Sequence, residues 1–248
     1  MRRTADEVAA ECGLELGDPY TLSRYSYVAP VGDDAVVKVA WAGDDESLHE
    51  GDALEVWAGD GAVRLLRADP SRRALLMERA RPGHDASSLP EDEATAVAVD
   101  VGRRLWRRVG APFRSVHDFV PRWLDEAENG DEDPSVELIP WARRLYGELG
   151  RRDDTLVHGD LHHHNLLRHG DRWVAIDSKA MRAEPEYELW SFLHNPLSYT
   201  MTLELTDRRL AAFEAAGLDQ WRMRAWTVVR AAWLGADEAE VAVLRALL

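Results

Sequence analysis

Residues 156–179 read L-V-H-G-D-L-H-H-H-N-L-L-R-H-G-D-R-W-V-A-I-D-S-K, and no other stretch limits the possible folds of this chain as strongly. His158, Asp160 and Asn165 stand in an H-x-D-x-x-x-x-N spacing, and Asp177 follows Asn165 by twelve residues, closing the apolar run 173–176. A lone H-G-D carries little, because an aspartate after glycine often only caps a turn. The full spacing, followed by the hairpin-like D-R-W-V-A-I-D, suits phosphoryl transfer. One carboxylate accepts the proton of an incoming hydroxyl, while an amide oxygen and a second carboxylate hold Mg²⁺ on nucleotide phosphates. Mg²⁺ takes oxygen ligands and only one or two protein carboxylates. Asp160 is therefore the expected base, and Asn165 and Asp177 the expected metal pair.

The 248 residues suffice for one large domain or two lobes with a real core, and 46% apolar content excludes wholesale disorder. No apolar run approaches the roughly 20 residues that span a bilayer, and residues 1–12 intersperse acids where a signal peptide has an apolar core. A single cysteine, Cys12, excludes an internal disulfide framework and fits a reducing cytoplasm. The net charge of −15 argues against a nucleic-acid surface. It suits a cationic small-molecule substrate, although an acidic surface also simply favours solubility. The oligomeric state is left open. Lysine is rare: Lys38 and Lys179 are the only two.

Along the chain, residues 4–16 carry a short amphipathic pattern through Val8, Cys12 and Leu16. A β-rich run from Tyr20 contains a polar turn at 23–26, Gly32-Asp33-Asp34 signals a hairpin, and 35–41 reads as the returning strand with Lys38 inside it. Such a lysine can point at solvent or sit on nucleotide phosphates, paired with a helix glutamate. Residues 45–58 read as that helix, with Leu48, Leu54 and Trp57 apolar and Glu46, Glu50 and Glu55 as possible partners. Two further strands flank Asp69-Pro70-Ser71, and residues 78–83 form a hinge into a helical second half. There, 91–109 and 135–149 are helical, 125–134 is an acidic, turn-rich connector, and 186–247 is helical with breaks at Asn195-Pro196, Gly217 and Gly235.

With these segments in place, the chain resembles the aminoglycoside phosphotransferase family, in its streptomycin-type aminoglycoside and hydroxyurea kinase branch. The resemblance rests on V-H-G-D-L-H-H-H-N, on I-D-S-K followed by E-P-E-Y-E-L-W-S-F-L-H-N-P, and on W-A-G-D-G-A-V-R-L-L and L-L-M-E-R-A-R-P-G. It extends from about Tyr20 to Leu234. It implies an α+β, two-lobed protein-kinase-like fold, with a small β-rich nucleotide-binding lobe over 1–80 and a larger helical lobe over 81–248. It implies ATP and Mg²⁺, with Asp160 as catalytic base and Asn165 and Asp177 as metal ligands. Lys38 would contact the phosphates with Glu50 as its partner, since E-G-D-A-L matches the family's E-x-x-A-L. Backbone groups of Met77, Glu78, Arg79 and Ala80 would hold the adenine, their side chains free to vary. The turn at 23–26 lacks glycine, so Ser23 and Ser26 would cover the phosphates with hydroxyls and amides. Ser178 and Lys179 replace the phenylalanine and glycine of protein kinases, so no protein-kinase-style switch is implied.

Three other groups of residues allow more than one reading. Consecutive histidines at 162–164 invite a zinc reading, but side chains on one loop diverge and no cysteine is near. His158 is expected to orient the loop, and His162, His163 and His164 to border the cleft. Of Glu184, Glu186 and Glu188, one could anchor the catalytic loop and another meet a substrate cation, or all three could lie on an exposed acidic loop. Lys179 is either a neighbour of Asp177 or a solvated loop residue. The expected function is an ATP- and Mg²⁺-dependent kinase of a hydroxylated small molecule, a streptomycin-like aminoglycoside first and hydroxyurea or another metabolite next. The alternative is a non-catalytic nucleotide-binding module.

Overall fold

The computed structural model describes residues 1–20, 25–44, 46–130 and 133–247. Helix α1 (Arg2–Glu11) precedes an antiparallel sheet of β1 (Ser26–Val31), β2 (Ala35–Ala40), β3 (Leu65–Asp69) and β4 (Ala74–Glu78), ordered β1-β2-β4-β3. The expected amphipathic segment is this helix, but it stops at Glu11, and Leu16 instead bridges Val31. Strand alternation splits the sheet into two faces. Val37 and Val39 join Ala29, Val31, Ala74 and Leu76 in packing against Ala5, Val8 and Ala9 of α1. Lys38 points to the opposite face, toward α2 (Glu50–Trp57). A 3-10 turn over Glu46–His49 leads into α2, and it leaves Leu48 exposed rather than packed.

Ala53, Leu54 and Trp57 of α2 belong to the main core of the helical lobe. Short β5 (Pro82–Asp85) pairs with β8 (Leu166–His169), which pairs with β9 (Arg172–Ala175). Helix α3 (Glu91–Leu105) has three acids in its first turn and two arginines in its last, matching the helix dipole. It ends sooner than the pattern to 109 implies, because Arg107–Arg108 form β6 beside β7 (Thr155–Val157), whose other neighbour is β10 (Met181–Ala183).

The expected acidic connector is in part a helix. α4 (Val120–Glu128) carries Pro121 in its first turn, buries Val120 and Leu124, and has its acids Asp125 and Glu128 held by Arg143. α5 (Ile139–Leu149) carries Pro140 in its first turn, where no N–H bond is lost. Helices α6 (Leu189–Leu193), α7 (Leu203–Ala215), α8 (Gln220–Leu234) and α9 (Glu238–Leu247) complete the lobe. α8 is its axis: Ala225 to Ala232 are all buried, so an arginine within that run, Arg230, has its charge inside the protein. Trp226 is core, Trp233 stacks on Trp123, and Trp221 stays exposed. No helix among the described residues is long and apolar enough to cross a membrane.

Candidate active site

Antiparallel pairing explains the twelve-residue spacing. Leu166 faces Ala175 in the β8–β9 hairpin, and the Ile176 N–H reaches the Asn165 carbonyl at 3.0 Å. Asn165 and Asp177 are thus brought together at the open end of one hairpin. Asp177 adopts φ 58°, a left-handed conformation uncommon for a residue with a side chain. Its other neighbours come from further off. The Lys38 ammonium donates to Asp177 Oδ1 at 2.5 Å and meets Glu50 Oε2 at 2.6 Å. Of the three glutamates considered for Lys38, Glu50 is the one the fold supplies. Lys179 Nζ lies 3.7 Å from the same Asp177 oxygen.

Burial alone would discharge Lys38, but Glu50 and Asp177 outweigh it and hold the ammonium ionised. Burial, with help from Asp177, pushes Glu50 up against the pull of Lys38, because two carboxylates share one lysine. Burial raises Asp177 as well, yet Lys38 and Lys179 bring it down to about 2.

The loop that carries Asp160 is braced from below. His158 is fully buried; its Nε2 donates to the Ile176 carbonyl at 2.9 Å, and its Nδ1 accepts the Asp160 N–H at 3.3 Å. That pattern requires the neutral ring, and burial pulls its pKa down to about 4. The Glu188 carboxylate accepts the N–H groups of His158 and of Gly159, the latter at 3.1 Å. Arg230 donates to the Gly159 and Tyr187 carbonyls at 2.7 and 2.8 Å. Gly159 has φ +82°, and a Cβ there would stand 2.4 Å from the Lys179 carbonyl oxygen. Only glycine fits.

Asp160 keeps about a third of its side chain exposed, with His162 Nε2 at 3.6 Å. Burial raises its carboxyl, but His162, His158 and Arg230 prevail and hold it well below the usual carboxylate range. Asn165 spends its Nδ2 on the Asp160 carbonyl at 2.9 Å, and no hydrogen bond among the described residues engages its Oδ1.

Other expected positions fare unevenly. Ser23 lies outside the described residues, and Ser26 opens β1 opposite Ala40. The Glu78 side chain is engaged. Its carboxylate meets Arg172 at 2.9 Å and accepts the Arg64 N–H at 2.8 Å. Met77 is buried in the main core, and the Arg79 N–H is spent on the Asp34 carbonyl. The Ala80 N–H has no partner among the described residues. His162 borders the loop and His164 meets Asp85 at 2.8 Å, but His163 is buried, stacked on Phe192 at 4.4 Å.

The three glutamates are buried rather than displayed on a loop. Glu184 binds Arg222 and Trp226, Glu186 accepts the Asp219 N–H, and Glu188 holds the loop. Arg230 and Trp57, whose indole stacks at 6.3 Å from His158 and donates to Leu105, were not anticipated. An arginine inside the apolar run T-V-V-R-A-A-W-L was the available signal for the first.

Residues 20–242 match the model of the aminoglycoside/hydroxyurea antibiotic resistance kinase family. The streptomycin 3''-kinase of Klebsiella pneumoniae is 33% identical, over 86% of this chain and 85% of its own. The hydroxyurea phosphotransferase of Kitasatospora aureofaciens is 33% identical over 95% and 75%. Among solved structures, a choline/ethanolamine kinase family protein from Mesorhizobium loti superposes with a TM-score of 0.65 at 14% identity, covering 98% of this chain and 84% of that one. A thermostable mutant of an aminoglycoside phosphotransferase, in ternary complex with AMP-PNP and hygromycin B, gives 0.62 at 18% identity, covering 92% and 89%. The fold is thus the two-lobed kinase-like one, and the chain belongs to the aminoglycoside/hydroxyurea antibiotic resistance kinase family of small-molecule phosphotransferases.

Proposed function

We propose that this chain moves the γ-phosphate of ATP, with Mg²⁺, to a hydroxyl group of a streptomycin-like aminoglycoside. What carries the reading is one connected cluster: Asp160 bonded to Asn165, the Asn165 carbonyl bonded to the N–H of Ile176 beside Asp177, and Asp177 bonded to Lys38. We assign nucleotide binding to residues 1–80 and substrate binding mainly to 81–248.

The donors suit a hard cation. Asp177 is ionised, its side chain is 43% exposed, and both lysines crowd one oxygen, so Oδ2 is uncommitted among the described residues. Asn165 Oδ1 is the matching neutral oxygen. Bound there, Mg²⁺ would neutralise charge on the β- and γ-phosphates. Lys38, steadied by Glu50, would hold the phosphates, with Ser23 and Ser26 over them. The Ala80 N–H would meet the adenine.

Asp160 would accept a hydrogen bond from the substrate hydroxyl and aim its oxygen in line with the γ-phosphorus. As the new O–P bond forms, the bond from phosphorus to the bridging oxygen breaks and ADP leaves with that electron pair. The hydroxyl proton passes to Asp160. A carboxylate held so low is a weak base, so it takes the proton late, once the attacking oxygen has become acidic. The reaction belongs in the cytoplasm, where ATP is available.

Three of the relatives are streptomycin kinases, and the net charge of −15 suits a polycationic drug. The hydroxyurea phosphotransferase relative supports hydroxyurea as the second reading. Mass spectrometry of the full chain with Mg²⁺-ATP and streptomycin tests the first. One phosphate added to the drug is expected. With Asp160→Asn, turnover should fall by about three orders of magnitude while ATP binding persists. Near-normal phosphorylation by that variant would remove Asp160 from the role of base. Modification of hydroxyurea but not streptomycin would replace the first substrate by the second.

A further inference from the structure

We propose that Lys179 is a second phosphate-binding and catalytic lysine, its ammonium contacting the γ-phosphate of bound ATP. This rests on the phosphotransferase reading above and adds a residue that the reading leaves unused. The chain has twenty-eight arginines and two lysines. Both lysines converge on a single atom, Asp177 Oδ1, at 2.5 and 3.7 Å. Arginine serves the other cationic side-chain positions, in ion pairs where a planar fork fits a carboxylate or a row of carbonyls. Lysine, a compact charge on a flexible stem, suits a phosphate whose position shifts during reaction.

The two differ in how committed they are. Lys38 is buried and held within 2.6 Å of two carboxylates. Lys179 keeps 23% of its side chain exposed, and its single 3.7 Å contact is beyond hydrogen-bond reach, so its donors are unspent among the described residues. Its root is rigid, however. The Lys179 N–H bonds the His158 carbonyl at 2.8 Å, and its own carbonyl fills the space beside Gly159 that a Cβ would need. A free ammonium therefore springs from a backbone fixed to the Asp160 loop, two residues past Asp177. A divalent cation on Asp177 would weaken the pull of that carboxylate on Lys179 and leave its ammonium to a phosphate. With Asp160 aiming an acceptor hydroxyl at the γ-phosphorus, the γ-phosphate oxygens would be the partners offered to Lys179.

The test compares Mg²⁺-AMP-PNP and Mg²⁺-ADP affinities by titration calorimetry for the unmodified chain, Lys179→Met and Lys179→Arg. A γ-phosphate contact predicts that Lys179→Met weakens AMP-PNP by roughly tenfold to a hundredfold. ADP affinity should stay within about twofold of the unmodified chain. Lys179→Arg should recover part of the AMP-PNP affinity, and kcat in Lys179→Met should fall about a hundredfold. Equal weakening of both nucleotides would reduce Lys179 to a neutraliser of Asp177 and overturn the proposal, as would no change in either. If the unmodified chain bound neither nucleotide, the phosphotransferase reading itself would fail, and this inference with it.

Discussion

Lys38 meets Asp177 and Glu50 through ion pairs, whereas Asp160 sits on a loop whose backbone is braced by His158, Glu188 and Arg230. The first half of the site depends on three charges brought from β2, α2 and the end of the β8–β9 hairpin. The second half depends on neutral His158, buried Glu188 and buried Arg230, which tie backbone groups of one loop. Packing differs in the same sense. A cavity of about 170 Å³, lined by Lys38, Ala40, Glu50, Gly51, Ala68 and Leu75, lies between α2 and the sheet. The Asp160 loop rests on the core against Trp57 and α8. The charges around Asp177 are held by ion pairs that another ligand could replace, whereas Asp160 is held by backbone hydrogen bonds to buried side chains.

The largest expected contrast in stability is between Arg230→Leu and Lys38→Met. Removing Arg230 leaves the buried Gly159 and Tyr187 carbonyls unpaired, a loss of roughly 3–5 kcal/mol. Removing Lys38 leaves Glu50, already pushed up, to take a proton, so the loss should be smaller while nucleotide binding disappears. Urea unfolding and calorimetry of both variants check this; equal loss of stability would abolish the distinction between the halves.

Next comes pH. Burial, opposed by Arg230 and two backbone N–H groups, raises Glu188 from 4.5 to about 7. Its contribution to stability is fully present below pH 4.5 and is lost as pH rises through 7. Burial lowers His158 from 6.5 to about 4, so its contribution is present above pH 6.5 and is lost as pH falls through 4. The two slopes cancel between. Glu188→Gln should expose the His158 slope, changing the difference in stability between pH 5 and 8 by about 3 kcal/mol relative to the unmodified chain. Parallel urea midpoints across that range would refute the balance.

The smallest effect concerns the loosely packed half. Gly51→Ala places a Cβ 3.0 Å from Leu75 Cδ2, which has the cavity to move into. The gain in helix propensity of α2 should then stabilise the chain by about 0.5–1 kcal/mol. A lowered melting temperature would mean that Leu75 cannot yield and that this half is tighter than its cavity suggests.

The sequence made some of this legible. Asn165 and Asp177 could be paired because both lie at the ends of one short hairpin, whereas the local pattern leaves Glu46, Glu50 and Glu55 all open as partners of Lys38, and Glu50 followed only from the resemblance of E-G-D-A-L to the family's E-x-x-A-L. The run E-P-E-Y-E could not be read locally. Its acids look like a solvated loop until Arg222, the Asp219 N–H and Arg230 arrive some thirty to forty residues later. The acids of α4 misled for the same reason, their partner Arg143 lying beyond the turn that follows. The buried His163 was also hidden, since only the fold places Phe192 beneath it.

The scarcity of lysine has a practical consequence. Apart from the terminal amine, every primary amine of the molecule lies against Asp177. General acylating reagents, which on most proteins decorate the surface at random, would here act as site-directed probes. Buried Lys38 should resist them, half-buried Lys179 should react, and the extent of labelling would read out occupancy of the cleft without any substrate being known.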